Sequence, residues 1–229
     1  MRLLLIRHGQ TPSNVAGALD TARPGAGLTA LGHAQAAAIP QVLRDEQIEA
    51  LYASVLTRTQ LTGRPLAIAR GLDIEVREGL EEISAGDFEM RTDADAVQEY
   101  IEGGWRWASG DLEHAISGGE SGNDFLRRYD AVIDEVAEAH GTAAVVSHGA
   151  AIRVWASYRA VNVASETAVQ RRLQNTGMCV LEGDPDSGWV LQRWHEEPLG
   201  GADLEDRYAH DVTGEPEEAD AVIAEDARS

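Results

Sequence analysis

Short apolar runs alternate with longer helical stretches, and this constrains the fold of the 229-residue chain more than any other feature. Leu3–Ile6, Ala50–Ala53, Ile74–Val76 and Ala143–Ser147 have strand length and carry little polar alternation. Such runs suit strands buried on both faces, as in a parallel sheet. Between them lie segments with helical spacing. Thr29 is placed to cap one, with Leu31, Ala34, Ala38 and Val42 along it, and Ser54 opens another. A third runs from Phe125 to Ala139 with Phe125, Leu126, Tyr129, Ile133 and Val136 on one face. His140 and Gly141 then stand where a C-terminal cation and a C′ glycine would close it. Strand–helix alternation predicts an α/β fold, a mostly parallel doubly wound sheet with helices on both faces. Near the end, Met178–Glu182 and Trp189–Trp194 flank GDPDSG, which reads as a hairpin and adds one antiparallel edge strand.

No Pro/Ser-rich linker and no repeat divides the chain. One domain over residues 1–200 is expected, with an inserted lid at about 86–118. That insert breaks the rhythm and contains Gly103-Gly104 and the Trp105/Trp107 pair, for which core packing and a hydrophobic lid are both open readings. Residues 201–229 form an acidic C-terminal tail, expected to be partly disordered from about Glu215.

The chain holds 39 acidic residues against 19 basic ones, all arginine, for a formal charge of −20. This argues against nucleic acid, which needs a basic surface, and against anionic membranes. It leaves room for a small phosphorylated metabolite, because charges beyond about 8 Å are screened and a local arginine cluster dominates. Cys179 is the only cysteine and sits in an apolar run, so no intrachain disulfide forms. The N-terminal apolar run is shorter than the roughly 7–15 residues of a signal-peptide core. No stretch approaches the roughly 20 apolar residues of a membrane span. A cytoplasmic location is expected. A homodimer through an exposed sheet edge is an open possibility.

Ligands of open parallel sheets collect beyond the carboxyl ends of the strands. The first strand ends at Arg7-His8-Gly9, the second at Ser54 with Arg58 one turn on, and a late one at Ser147-His148-Gly149. Two histidines and two arginines, far apart in sequence, are thereby predicted to meet on one edge. Two guanidinium forks and a helix N-terminus make a phosphate cradle. A neutral histidine there can attack phosphorus, its pKa lowered by the arginines. A second histidine, when protonated, would steady the oxygens. Glu82, after the short third strand, is a candidate proton donor for the leaving group. Gly9 is expected to let the backbone turn close to the phosphate.

These residues resemble the histidine phosphatase superfamily, in its phosphoglycerate-mutase-like branch, over roughly residues 2–195. LIRHGQT, SVLTRTQLT, LEEISAG, GGES and VVSHGAAIR are similar to its motifs. The resemblance implies that His8 is the phosphohistidine nucleophile, that Arg7, Arg58 and His148 bind the phosphoryl oxygens, and that Glu82 is the acid/base. It places Asn14 and Gln10 among the phosphate contacts, although both could simply cap the turn. It implies neither metal nor other cofactor. After the acid/base motif the family often has Trp-Glu-Gly; here the run is Phe88-Glu89-Met90. The segment from Glu82 to GGES is short, as in the family's phosphatases. The resemblance therefore implies a phosphatase for a small phosphomonoester, with a primer-dependent mutase and a non-catalytic binding module as alternatives. His114 in the insert is a weak candidate for substrate contact. Arg127 and Arg128 are expected to be solvated or paired with Asp124 and Asp130, and Arg153 to tie down a helix start.

Overall fold

A computed structural model describes residues 1–206, 208–209 and 211–214, without the side chains of 166 and 167. Six strands, β1 (Arg2–Arg7), β2 (Ala50–Ser54), β3 (Ile74–Arg77), β4 (Thr142–Ser147), β5 (Met178–Asp184) and β6 (Gly188–His195), form one sheet. Their order is β3-β2-β4-β1-β5-β6. The first four run parallel. The antiparallel part is the β5–β6 hairpin, with β5 lying against β1. The helices are α1 (Pro12–Ala16), α2 (Ala30–Val42), α3 (Thr57–Arg70), α4 (Ala94–Ala108), α5 (Gly122–Ala139), α6 (Gly149–Arg159) and α7 (Ser165–Ala168). The mixed α/β fold matches the expectation.

The two-residue period of β1 divides its apolar side chains between two cores. Leu3 and Leu5 join one cluster with Tyr100, Phe125, Tyr129 and Trp155; Leu4 and Ile6 join another with Ile39 and Leu66. All four are fully buried, and each such burial contributes roughly 1.5–3 kcal/mol. The double covering fixes the sheet, and with it the loops at its carboxyl ends.

Helix termini follow local chemistry. The Thr29 hydroxyl accepts from the Gly32 amide, as expected of a cap. α3 starts later than predicted, because Ser54 ends β2 and its hydroxyl takes the Leu56 amide. α5 starts earlier, capped by Ser121. Its close differs from the prediction: His140 is extended (φ −137°), and the Gly141 amide donates to Glu49. α1 was not foreseen. Its Thr11 and Asn14 form a reciprocal capping box.

The insert is welded to the main core. Tyr100 of α4 is buried and donates to the Ile83 carbonyl. Trp107 is fully buried, stacks on Phe125 with centroids 5.7 Å apart, and donates to the His114 carbonyl. Trp107 is therefore core packing, while Trp105 is half-buried against the same cluster. Part of the acidic C-terminal segment also packs on the domain: Ala202–Leu204 form a 3-10 turn, and Asp211 and Thr213 are buried. The stretch from Glu215 onward lies outside the described residues.

Candidate active site

Strand register brings the two histidines together. β1 pairs with β4 so that Arg7 faces Ser147, and the next residue of each strand is His8 and His148. Their rings meet edge-on at 5.2 Å between centroids. β2 flanks β4 on the other side, which carries Ser54 to His148: the hydroxyl lies 2.8 Å from Nε2. Arg58 enters from the first turn of α3. His8 is 2 % exposed, Arg58 3 % and Glu82 4 %. These three line one cavity with Asn14, Asp20 and Thr213. Arg7 lies fully buried behind it.

The hydrogen bonds assign the His8 tautomer. Its Nδ1 lies 2.8 Å from the Gly9 carbonyl, which can only accept, so Nδ1 carries the proton. The lone pair is left on Nε2. Burial, then the charges of Arg58 and Arg7, holds the His8 pKa well below its ordinary value, so the ring is neutral. Burial and Arg58 do the same to His148. Without a bound anion both rings are thus uncharged, and a protonated His148 requires negative charge to arrive from a ligand.

Arg58 donates Nη2 to the Asp20 carbonyl at 2.8 Å, and its Nη1 lies 3.8 Å from the Asp20 carboxylate. Three buried guanidinium donors, Arg7 Nε, Arg58 Nε and Arg58 Nη1, lack hydrogen-bond partners, as does the His148 Nδ1 atom. Buried guanidinium hydrogens are costly to leave unpaired. Their convergence around His8 suits an oxyanion with several acceptor oxygens.

Glu82 sits at the opening of α6. Its carboxylate accepts from the amides of Ile83, Ala150 and Ala151. Behind it, Arg128 donates to the carbonyls of Gly79, Glu81 and Glu82 and pairs with Glu120. Arg128 is therefore neither solvated nor paired with Asp130, whose partner is Arg159. It clasps the loop that carries Glu82. Arg127 pairs with Asp124 as expected.

Two other predicted contacts separate. Asn14 lines the His8 cavity; its Oδ1 accepts from Thr11, and its Nδ2 donates to Asp211 at 3.0 Å. Gln10 lines a neighbouring cavity and donates to Asp206 at 2.8 Å. The Gly9 reading also changes. A Cβ there would come within 2.7 Å of the Gly32 carbonyl, so glycine is needed where the loop crosses α2. His114 does not line the cavity. Arg153 in α6 is buried and donates to the carbonyls of Val169 and Thr213; burial pushes its pKa down to about 10.

Asp211 and Thr213 were not foreseen. The Asp211 carboxylate lies 2.5 Å from Arg7 Nη2, which also donates to the Thr213 hydroxyl at 3.0 Å. They lie in an acidic, apolar-poor stretch that reads as solvated, and nothing local in the sequence marks them.

The cavity brings the unpaired donors of Arg58 beside a neutral imidazole with a directed lone pair, with Arg7 buried behind. That chemistry suits an oxyanion. The chain belongs to the histidine phosphatase superfamily (branch 1), whose family model matches residues 3–197. It is 34 % identical over 216 residues to a PE-PGRS family protein of Mycobacterium tuberculosis, spanning 87 % of this chain but only 37 % of that protein's length. An adenosylcobalamin/alpha-ribazole phosphatase of Escherichia coli is 35 % identical over 139 residues, 60 % of this chain and 68 % of that protein. Among solved structures, a mycobacterial glucosyl-3-phosphoglycerate phosphatase with VO3 superposes with a TM-score of 0.73 at 26 % identity, covering 86 % of this chain and 99 % of that one. Among the described residues, no helix is long and apolar enough to cross a membrane.

Proposed function

We propose that this chain hydrolyses a small phosphomonoester through a phosphohistidine on His8, without a metal. The observation that carries the reading is the Nδ1 bond of His8 to Gly9, which leaves Nε2 as a neutral nucleophile among unpaired cationic donors. In the first step the Nε2 lone pair attacks phosphorus and the bond to the ester oxygen breaks. Arg7, Arg58 and His148 hold the other oxygens, with His148 taking up a proton once the phosphate charge is present. Glu82, which takes up a proton from solvent as the phosphate charge arrives beside it, gives that proton to the departing alkoxide. In the second step water attacks phosphorus, Glu82 takes the water proton, and the P–N electron pair returns to Nε2. The names of the relatives favour hydrolysis of phosphorylated metabolites over phosphate return to substrate. A reducing, cytoplasmic setting accords with one buried thiol, Cys179.

The test is trapping. Rapid mixing with a phosphomonoester and quenching in base should yield one acid-labile phosphoryl group per chain, located on His8. His8→Ala should lose the adduct and turnover while keeping its circular-dichroism spectrum. Full activity in His8→Ala would overturn the mechanism. Turnover that requires a bisphosphorylated primer and releases no phosphate would establish the mutase instead.

A further inference from the structure

The donors around the cavity fall into two sets. On the sheet side, Arg58 Nη1 and Nε have no hydrogen-bond acceptor, and the His148 Nδ1 atom has no partner. On the C-terminal side the donors are already occupied, and the occupant is a carboxylate. Asp211 takes Arg7 Nη2 and Asn14 Nδ2, both predicted phosphate contacts. Side-chain exposure is 0 % for Arg7 and 9 % for Asp211, so this is a desolvated charge pair, not a surface one. Both donors meet one oxygen, Asp211 Oδ1, so the carboxylate offers them the negative charge that a phosphate oxygen would.

Among the described residues, polar contacts help to fasten the rest of the segment, while Ala209 is buried and Val212 packs on the main core. Asp206 accepts from Gln10, Glu205 from Gln174, and the carbonyls of Leu204 and Thr213 from Gln35 and Arg153. Thr213 also walls the cavity holding His8. A buried nucleophile needs a way in for the ester and a way out for the alcohol.

We propose that the described C-terminal residues 203–206 and 211–214 act as an autoinhibitory strap: Asp211 stands in for the substrate phosphate on Arg7 and Asn14, and substrate binds by displacing it. Displacement does two things at once. It frees the two donors, and it removes Thr213 from the cavity wall. A support that merely steadied Arg7 would not also consume the free donor of Asn14. The proposal rests on the phosphate-site reading above, because it takes Arg7 and Asn14 to be phosphate ligands.

Calorimetric titration with inorganic phosphate tests it, using the full chain, Asp211→Asn and Asp206→Asn. An affinity is reduced by the fraction of molecules competent to bind, so a strap closed in nine molecules of ten weakens phosphate binding about tenfold. Asp211→Asn should therefore bind phosphate about tenfold more tightly, and Asp206→Asn, which loosens only an anchor, by roughly two- to threefold on the same principle. Hydrogen exchange on the wild-type chain is the second readout: saturating phosphate should speed exchange of the amides of Leu173 and Gly214, which the closed strap protects. Equal or weaker phosphate binding by a folded Asp211→Asn overturns the strap and leaves the site reading standing. Should that variant not fold, unchanged amide exchange in the phosphate-bound wild type overturns it equally. Absence of phosphate binding to every form overturns the site reading, and the strap with it.

Discussion

Acid should destabilise this protein through its two active-site histidines, by an amount that follows from their burial. His8 is almost wholly buried and His148 fully so, and each is held neutral well below its ordinary pKa by desolvation and nearby arginines. In the unfolded chain both titrate near 6.5. Below that value the unfolded state binds protons that the native state refuses, so stability is complete above about 6.5 and falls as the pH drops toward the native values. With both native rings neutral, moving from pH 7 to 5.5 favours the unfolded state by roughly 1 kcal/mol per histidine, about 2–3 kcal/mol for the pair. That is a large part of the 5–15 kcal/mol typical of a domain. A matched variant lacking both rings cancels the contribution of every other titratable group. Urea unfolding of the wild type and of His8→Gln/His148→Gln, at half-unit steps from pH 7 to 5.5, supplies the comparison. The stability difference, wild type minus variant, should shrink by about 2–3 kcal/mol across that window. Parallel pH slopes would refute the reasoning, since the two rings would then titrate alike in both states. The same neutrality should keep the acid limb of kcat/KM below pH 6.5.

Two further outcomes are expected. Glu82→Gln should slow alkyl phosphates by roughly 10²-fold or more, the usual scale of general-acid catalysis, and nitrophenyl phosphate far less, because that leaving group needs no proton; equal losses on both, read from steady-state kinetics, would remove Glu82 from the acid role. Met90 holds a left-handed conformation (φ 62°) and its side chain is 57 % exposed, so Met90→Gly should raise stability in urea by about 0.5–1 kcal/mol, the relief at φ > 0 less glycine's greater unfolded entropy; a loss would mean that the exposed methionine is packed after all.

The parts of this protein that were legible in its sequence are those fixed by short-range patterns. Continuous apolar runs specify strands covered on both faces, and Leu3 to Ile6 fill the two cores alternately. Because Arg7 and Ser147 are the last paired residues of adjacent parallel strands, RHG and SHG had to converge. The meaning of Phe88-Glu89-Met90 came from the structure: Glu89 accepts from Thr21 and Ala22, and Met90 itself holds a left-handed conformation. Arg128 was misread because a charge among acids on a helix resembles a solvated face. Its partners are Glu120 and the backbone carbonyls of a distant loop, and no side-chain pattern encodes those carbonyls.

The C-terminal strap was illegible for a stricter reason. A charged segment poor in apolar residues has no hydrophobic reason to fold, so by itself it reads as solvent-facing. What holds it is a demand made elsewhere. Arg7 ends a fully buried strand, and its guanidinium needs a counter-charge that no neighbour in sequence supplies. A phosphate ligand would meet the need only when bound. Asp211, 204 residues away along the chain, meets it in the ligand-free protein. The pairing is legible only after β1, β4 and α6 have built the place where it occurs. The feature least visible in the sequence is thus a consequence of the most visible one, a strand that delivers a cation into the interior.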